Sequence, residues 1–112
     1  MPGINPTNFE QGEATVAAAG TSSTSATAIT LGQVTAGGIL KISGGNGTAG
    51  VSLPSLARGE VTVFNSGTAT AKIYPYSTTG TINGSTNAAS LSTVKAAILR
   101  WAAADEVFLI GG

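Results

Sequence analysis

Gly59–Pro75 reads G-E-V-T-V-F-N-S-G-T-A-T-A-K-I-Y-P, and the class of fold turns on it. Two runs of alternating residues flank a glycine-containing turn, the pattern of a β-hairpin. Val61 and Val63 point to one side of the first run, and Ala71 and Ile73 point to the same side of the second. Glu60, Thr62 and Phe64 then share the opposite face with Thr70, Lys72 and Tyr74. Side chains alternate with a period of two, so a one-residue slip would turn one strand's apolar set away from the core. The spacing therefore predicts a loop of three or five residues around Ser66-Gly67-Thr68, with Glu60 near Lys72 or Tyr74.

Upstream, Glu13–Ala19 and Ile39–Ser43 read as strands. Between them lie a Ser/Thr loop at Gly20–Ser25 and a further strand in which Ala26, Ala28 and Leu31 alternate with Thr27 and Thr30, Ile29 adding apolar weight to the other face. Ala36-Gly37-Gly38 is a turn, and Ser43–Ser55, rich in glycine and carrying Pro54, reads as loop. Downstream, Thr78–Ala89 is a turn-rich link around Asn83-Gly84. Val94–Trp101 has two readings. Val94, Ile98 and Trp101 fall at helical spacing, whereas in a strand Ala97, Leu99 and Trp101 share a face. The strand is preferred, because a short Ala-Ala-Ala-Asp link leads straight into Glu106–Ile110. That last strand, E-V-F-L-I, is apolar on both faces and belongs at the centre of a sheet or under a partner.

These elements predict an all-β fold, an antiparallel β-sandwich or small β-barrel of jelly-roll type, formed by residues 13–112 as a single β-domain. Residues 1–12 carry two prolines and fit neither period, so they read as an extended N-terminal arm. Either it frays, or it orders on a neighbouring subunit with Ile4 and Phe9 as pegs. Ser25–Ile29 and Gly67–Ile73 are faintly alike, too little to define a repeat.

Leu, Ile, Val and Phe make up 25 of 112 residues, so the core is thin and assembly should add to stability. Charged residues are 9% of the chain, against roughly 25% in an ordinary soluble domain. Charge is depleted where partners cover a surface. Net charge is zero, which leaves no electrostatic footprint for nucleic acid or an anionic membrane. No apolar run approaches spanning length, and with Lys41 the first basic residue no signal peptide is expected.

The absence of histidine and cysteine removes imidazole bases, thiolates and the usual zinc donors. Neither cofactor nor metal is expected. Asp105 and Glu106 read as turn residues, and an exposed Glu60–Lys72 pair would contribute about 0–1 kcal/mol. Gly45, Gly47 and Gly50 match G-x-G-x-x-G, but Val51-Ser52-Leu53-Pro54 cannot open the helix that would hold a pyrophosphate. A turn is the better reading, as it is for Asn46-Gly47-Thr48 and Asn83-Gly84-Ser85. Phe64, Tyr74, Tyr76 and Trp101 are candidates for core or subunit contact, the last three also for a sugar-binding platform.

From Gly59 onward the chain resembles a recurrent phage-associated β module. The resemblance rests on V-T-V-x-N-x-G (Val61, Thr62, Val63, Asn65, Gly67), I-Y-P (Ile73–Pro75), the T-I-N-G turn (Thr81–Gly84), Asn87-Ala88 and a closing apolar strand. A short chain built almost wholly from one such module is similar to the capsid decoration (cement) proteins of tailed phages. That resemblance implies a non-enzymatic protein of the virion, on the capsid exterior. It would bind the major capsid protein as a homo-oligomer, a trimer by preference, and reinforce the head at its symmetry axes. Ile4, Phe9, Phe64, Tyr74, Tyr76 and Trp101 are the expected interface residues. A tail, fibre or neck component and a carbohydrate-binding β-module are the alternatives.

Overall fold

The structure, a computed structural model, describes residues 13–35 and 38–112. The predicted arm, with Ile4 and Phe9, lies outside the described residues. In chain order the elements are β1 (Glu13–Ala17), β2 (Thr27–Ala28), helix α1 (Leu31–Thr35), β3 (Ile39–Ser43), β4 (Gly50–Ser52), β5 (Gly59–Asn65), β6 (Ala71–Tyr74), β7 (Thr81–Ile82), β8 (Ala89–Leu91), β9 (Ala96–Ala103) and β10 (Glu106–Gly111). Strands dominate, as the sequence predicts, and Ala96–Ala103 is a strand with Ala97, Leu99 and Trp101 buried on one face.

The predicted pairing is not what forms. The first sheet has the order β1-β3-β5-β9-β10-β7, and the second β2-β4-β6-β8. Successive strands from β1 to β6 alternate between the two sheets, and within each sheet they pair in parallel. In place of an antiparallel sandwich or barrel, the chain winds as a solenoid would, one tour of both sheets at a time. The registers run Glu13↔Ile39↔Thr62 in the first sheet and Thr27↔Val51↔Ile73 in the second. Beyond β6 the direction reverses. β8 lies antiparallel to β6, β9 to β5, and β10 to β9, while β7 joins β10 in parallel.

β5 and β6 are therefore not a hairpin. Their five-residue connection, residues 66–70, carries the chain from one sheet to the other. Val61, Val63, Ala71 and Ile73 are all buried nonetheless, because the inner faces of the two sheets meet. With Leu40, Ile42, Val51, Leu91, Leu99 and Val107 they form one core, each large side chain worth about 1.5–3 kcal/mol of burial. Glu60 faces Arg100 across β5–β9, and Lys72 donates to Ser90 Oγ (2.7 Å). The expected Glu60–Lys72 pair does not exist.

The third inward position of β5 is Asn65, fully buried. Its Nδ2 donates to the carbonyls of Ala69 (2.9 Å) and Leu91 (2.8 Å), and its Oδ1 accepts from Gly67 N–H (2.9 Å). Its backbone also pairs on both sides of Val94: Asn65 N–H donates to Lys95 and Val94 N–H to Asn65. Val94 is held at φ 62° and is 70% exposed, a conformation that costs an L-residue about 1–2 kcal/mol. Val94→Gly is expected to raise stability by about 1 kcal/mol, allowing for glycine's greater unfolded entropy. Thermal denaturation checks this, and a lowered midpoint would show that the valine is not strained.

Two further expectations change. Ala26–Leu31 is a strand for two residues, after which α1 begins. Thr30 and Gln33 cap it reciprocally, Gln33 N–H donating to Thr30 Oγ1 (3.2 Å) and Thr30 N–H to Gln33 Oε1 (2.8 Å). Ala26 and Ile29 are buried, while Ala28 and Leu31 are exposed. The glycine-rich 43–55 segment holds β4, and no helix follows Gly50. Asn46 Oδ1 instead accepts from the N–H groups of Thr48 (3.0 Å) and Ala49 (2.8 Å), forming a turn.

Candidate interaction surface

Alternation gives each strand of the first sheet one side chain inward and the next outward. On β3, β5, β9 and β10 the inward set is apolar, and much of the outward set is too. In register across the sheet stand Glu13, Ile39, Thr62, Ile98 and Ile110. The three isoleucines are 43%, 37% and 52% exposed, which makes them an open apolar row four strands wide. Phe108, 42% exposed, sits two residues before Ile110 on the same face of β10. Phe64, half-buried, sits two residues after Thr62 on β5.

The charges on this face are largely paired among themselves. Lys41 Nζ lies 3.5 Å from Glu13 Oε2, and Arg100 Nε lies 3.9 Å from Glu60 Oε2. Exposed pairs of this kind contribute about 0–1 kcal/mol. Their consequence is electrical: the apolar row is bordered by neutralised pairs, so a partner need not bring compensating charge.

The expected interface residues are not brought together. Phe64 is on the outer face of the first sheet. Tyr74 is on the second, its hydroxyl donating to the Thr48 carbonyl (3.2 Å). Tyr76, 43% exposed, follows β6 at the rim of a separate groove. Trp101 is 2% exposed and its Nε1–H donates to the Pro54 carbonyl (2.9 Å). Its ring belongs to the core and offers nothing to a partner or a sugar. The exposed isoleucines and Phe108 were not among the expected residues, although the two-faced apolarity of E-V-F-L-I was the signal for Phe108 and Ile110.

Glu60 is tied to Arg100, and Asp105 lies in the β9–β10 turn, its carbonyl accepting from Thr81 N–H (2.9 Å). Among the described residues no cluster of three or more His, Cys, Asp or Glu could hold a metal ion, and no helix is long and apolar enough to cross a membrane. Scans against protein-family models, curated proteins and solved structures each return no match to this chain.

Proposed function

We propose that this protein is a non-enzymatic structural component of a virion, a capsid decoration protein that binds the outer surface of the head and stabilises it through oligomeric contacts. The observation that carries the reading is the open row of Ile39, Ile98 and Ile110 on the first sheet. Parallel strands generally have both faces covered, and here the outer face of β1-β3-β5 has no cover from the described residues. We assign that face to contact with a neighbouring copy of the chain in the oligomer, through a different patch of that copy. Two ion pairs on the face are already matched within one copy, so a neighbouring copy can dock there without bringing charges to match them.

A homotrimer is the favoured assembly, and the major capsid protein the favoured partner, on the sequence resemblance. Each contact would be weak alone and made effective by repetition on a lattice. Light scattering should give about three times the 10.9 kDa chain mass. Ile98→Asp, at an exposed position, should weaken self-association about thirtyfold, as loss of a 2 kcal/mol hot spot does, while far-UV circular dichroism still shows the folded strands. Added to heads that lack it, the wild-type protein should bind and raise their rupture temperature. A strict monomer that leaves such heads unbound would overturn the reading.

A further inference from the structure

A groove of about 580 Å³ opens beside the second sheet, between β2 and α1 on one side and the Leu53–Ser55 and Tyr76–Ser77 segments on the other. That volume lies within the range of small-ligand sites, roughly 300–1,000 Å³. Its lining carries no charge. It carries hydroxyls: Ser23, Thr24, Ser52, Ser55, Tyr76 and Ser77. Ile29, Leu53 and Pro54 supply the apolar part of the wall.

Ser52 is the informative member. It is 8% exposed, yet its hydroxyl makes no hydrogen bond to another described residue, and among the described residues no buried side-chain oxygen is sealed off without a partner. The Ser52 hydroxyl therefore opens to the groove. The hydroxyls of Ser23, Ser55, Tyr76 and Ser77 likewise have no partner among the described residues. A hydroxyl both donates and accepts, so this wall can exchange hydrogen bonds in either direction.

The turn that carries Tyr76 is closed at its backbone. Gly80 N–H donates to the Tyr76 carbonyl (2.9 Å), and a Cβ on Gly80 would come within 2.5 Å of that oxygen. Ser77, between them, is held at φ 55°, a left-handed conformation sparsely used by non-glycine residues. On the same side, Trp101 Nε1–H donates to the Pro54 carbonyl and holds that segment to the core. Tyr76 is thus an exposed side chain at the rim of the groove, carried on a closed turn.

We propose that this groove binds a neutral saccharide of one or two rings, which stacks a C–H face on Tyr76 and exchanges hydrogen bonds with Ser52, Ser55 and Ser77. A sugar presents both an apolar face and alternating donors and acceptors, the two chemistries found here, and an uncharged lining offers nothing to a phosphate or a carboxylate. The inference stands apart from the capsid reading, because it uses none of the residues on the first sheet's outer face.

The test is amide chemical-shift titration of the whole protein with glucose, galactose, N-acetylglucosamine, maltose and cellobiose at millimolar concentrations. Saturable shifts confined to residues around Ser52, Ser55, Tyr76 and Ser77 are expected with at least one of them. Tyr76→Ala should weaken that binding about tenfold or more, Ser52→Ala should weaken it less, and Ile98→Asp should leave it unchanged. No saturable shift with any of these sugars, shifts centred elsewhere, or binding indifferent to both groove substitutions would overturn the proposal.

Discussion

Asn65→Leu should lower the stability of this protein by about 3–5 kcal/mol, a large share of the 5–15 kcal/mol that holds a domain together. The substitution keeps most of the volume and removes every polar contact of the side chain. Three partners lose their bonds: the carbonyls of Ala69 and Leu91 and the N–H of Gly67. A buried group left unpaired costs about 1–3 kcal/mol. The Leu91 bond is wholly buried, so water cannot replace it there. These partners lie in two different places, the β5–β6 connection and the end of β8, so the loss also frees the connection that carries the chain between sheets. At roughly 4 °C per kcal/mol, the unfolding midpoint should fall by more than 10 °C. Asn46→Ala is the matched control. It also caps a turn, but in the open, where water substitutes and the cost stays near 1 kcal/mol. Equal losses at the two positions would mean that burial of Asn65 is not what matters.

Gly50→Ala should cost about 3 kcal/mol, the upper end of the usual overpacking range. A Cβ at Gly50 would stand 2.3 Å from the Lys72 carbonyl oxygen and 2.8 Å from its carbon. Neither atom can swing aside, because both are backbone of β6 in register with Gly50. The strand is held on its other side too, Gly50 N–H donating to Gly20 (3.2 Å) and Ala19 N–H to Gly50 (3.0 Å). Relief would require β4 and β6 to part. Gly47→Ala, four residues into the same glycine-rich segment, meets nothing within 4 Å, although its φ is 98°. It should lose only the backbone term, about 1–2 kcal/mol. Urea denaturation of the two variants ranks them, and Gly47→Ala costing as much as Gly50→Ala would refute the close approach.

Inside and outside were legible in the sequence; neighbours were not. Val61, Val63, Ala71 and Ile73 do turn to one core, and Ala97, Leu99 and Trp101 do share a buried face. Period-two alternation reports which way a side chain points and nothing about which strand lies alongside. A five-residue connection serves a hairpin or a crossing between sheets equally well, so the pairing of β5 with β6 had no support beyond proximity in the chain. The windings are also too unlike in sequence to declare themselves. The likeness between Ser25–Ile29 and Gly67–Ile73 would align Thr27 with Thr70, whereas the ladder, through Val51, aligns Thr27 with Ile73. One missed element did carry a signal. Thr30-Leu31-Gly32-Gln33 has the spacing of a capping box, with Ile29 before it and Val34 after it both in the core, yet at five residues α1 is too short to show a helical period.

The candidate surface was legible in part. Phe64 lies on it, and the closing strand was expected either at a sheet's centre or under a partner; it lies between β9 and β7 with Phe108 and Ile110 uncovered. Aromatic residues drew the other expectations, and aromaticity alone does not distinguish a ring that faces out from one, like Trp101, that fills the interior.

The parallel registers also decide where this chain can vary in length. From Glu13 to Ile39 the chain takes twenty-six residues to return to the first sheet, and from Ile39 to Thr62 only twenty-three. Both circuits arrive in step, because the rungs fix the point of return and leave the route free. The longer circuit includes α1, a detour outside either ladder. Extra residues can be absorbed in such detours with every rung still in place, a freedom that a tight hairpin, whose turn dictates its own register, does not have.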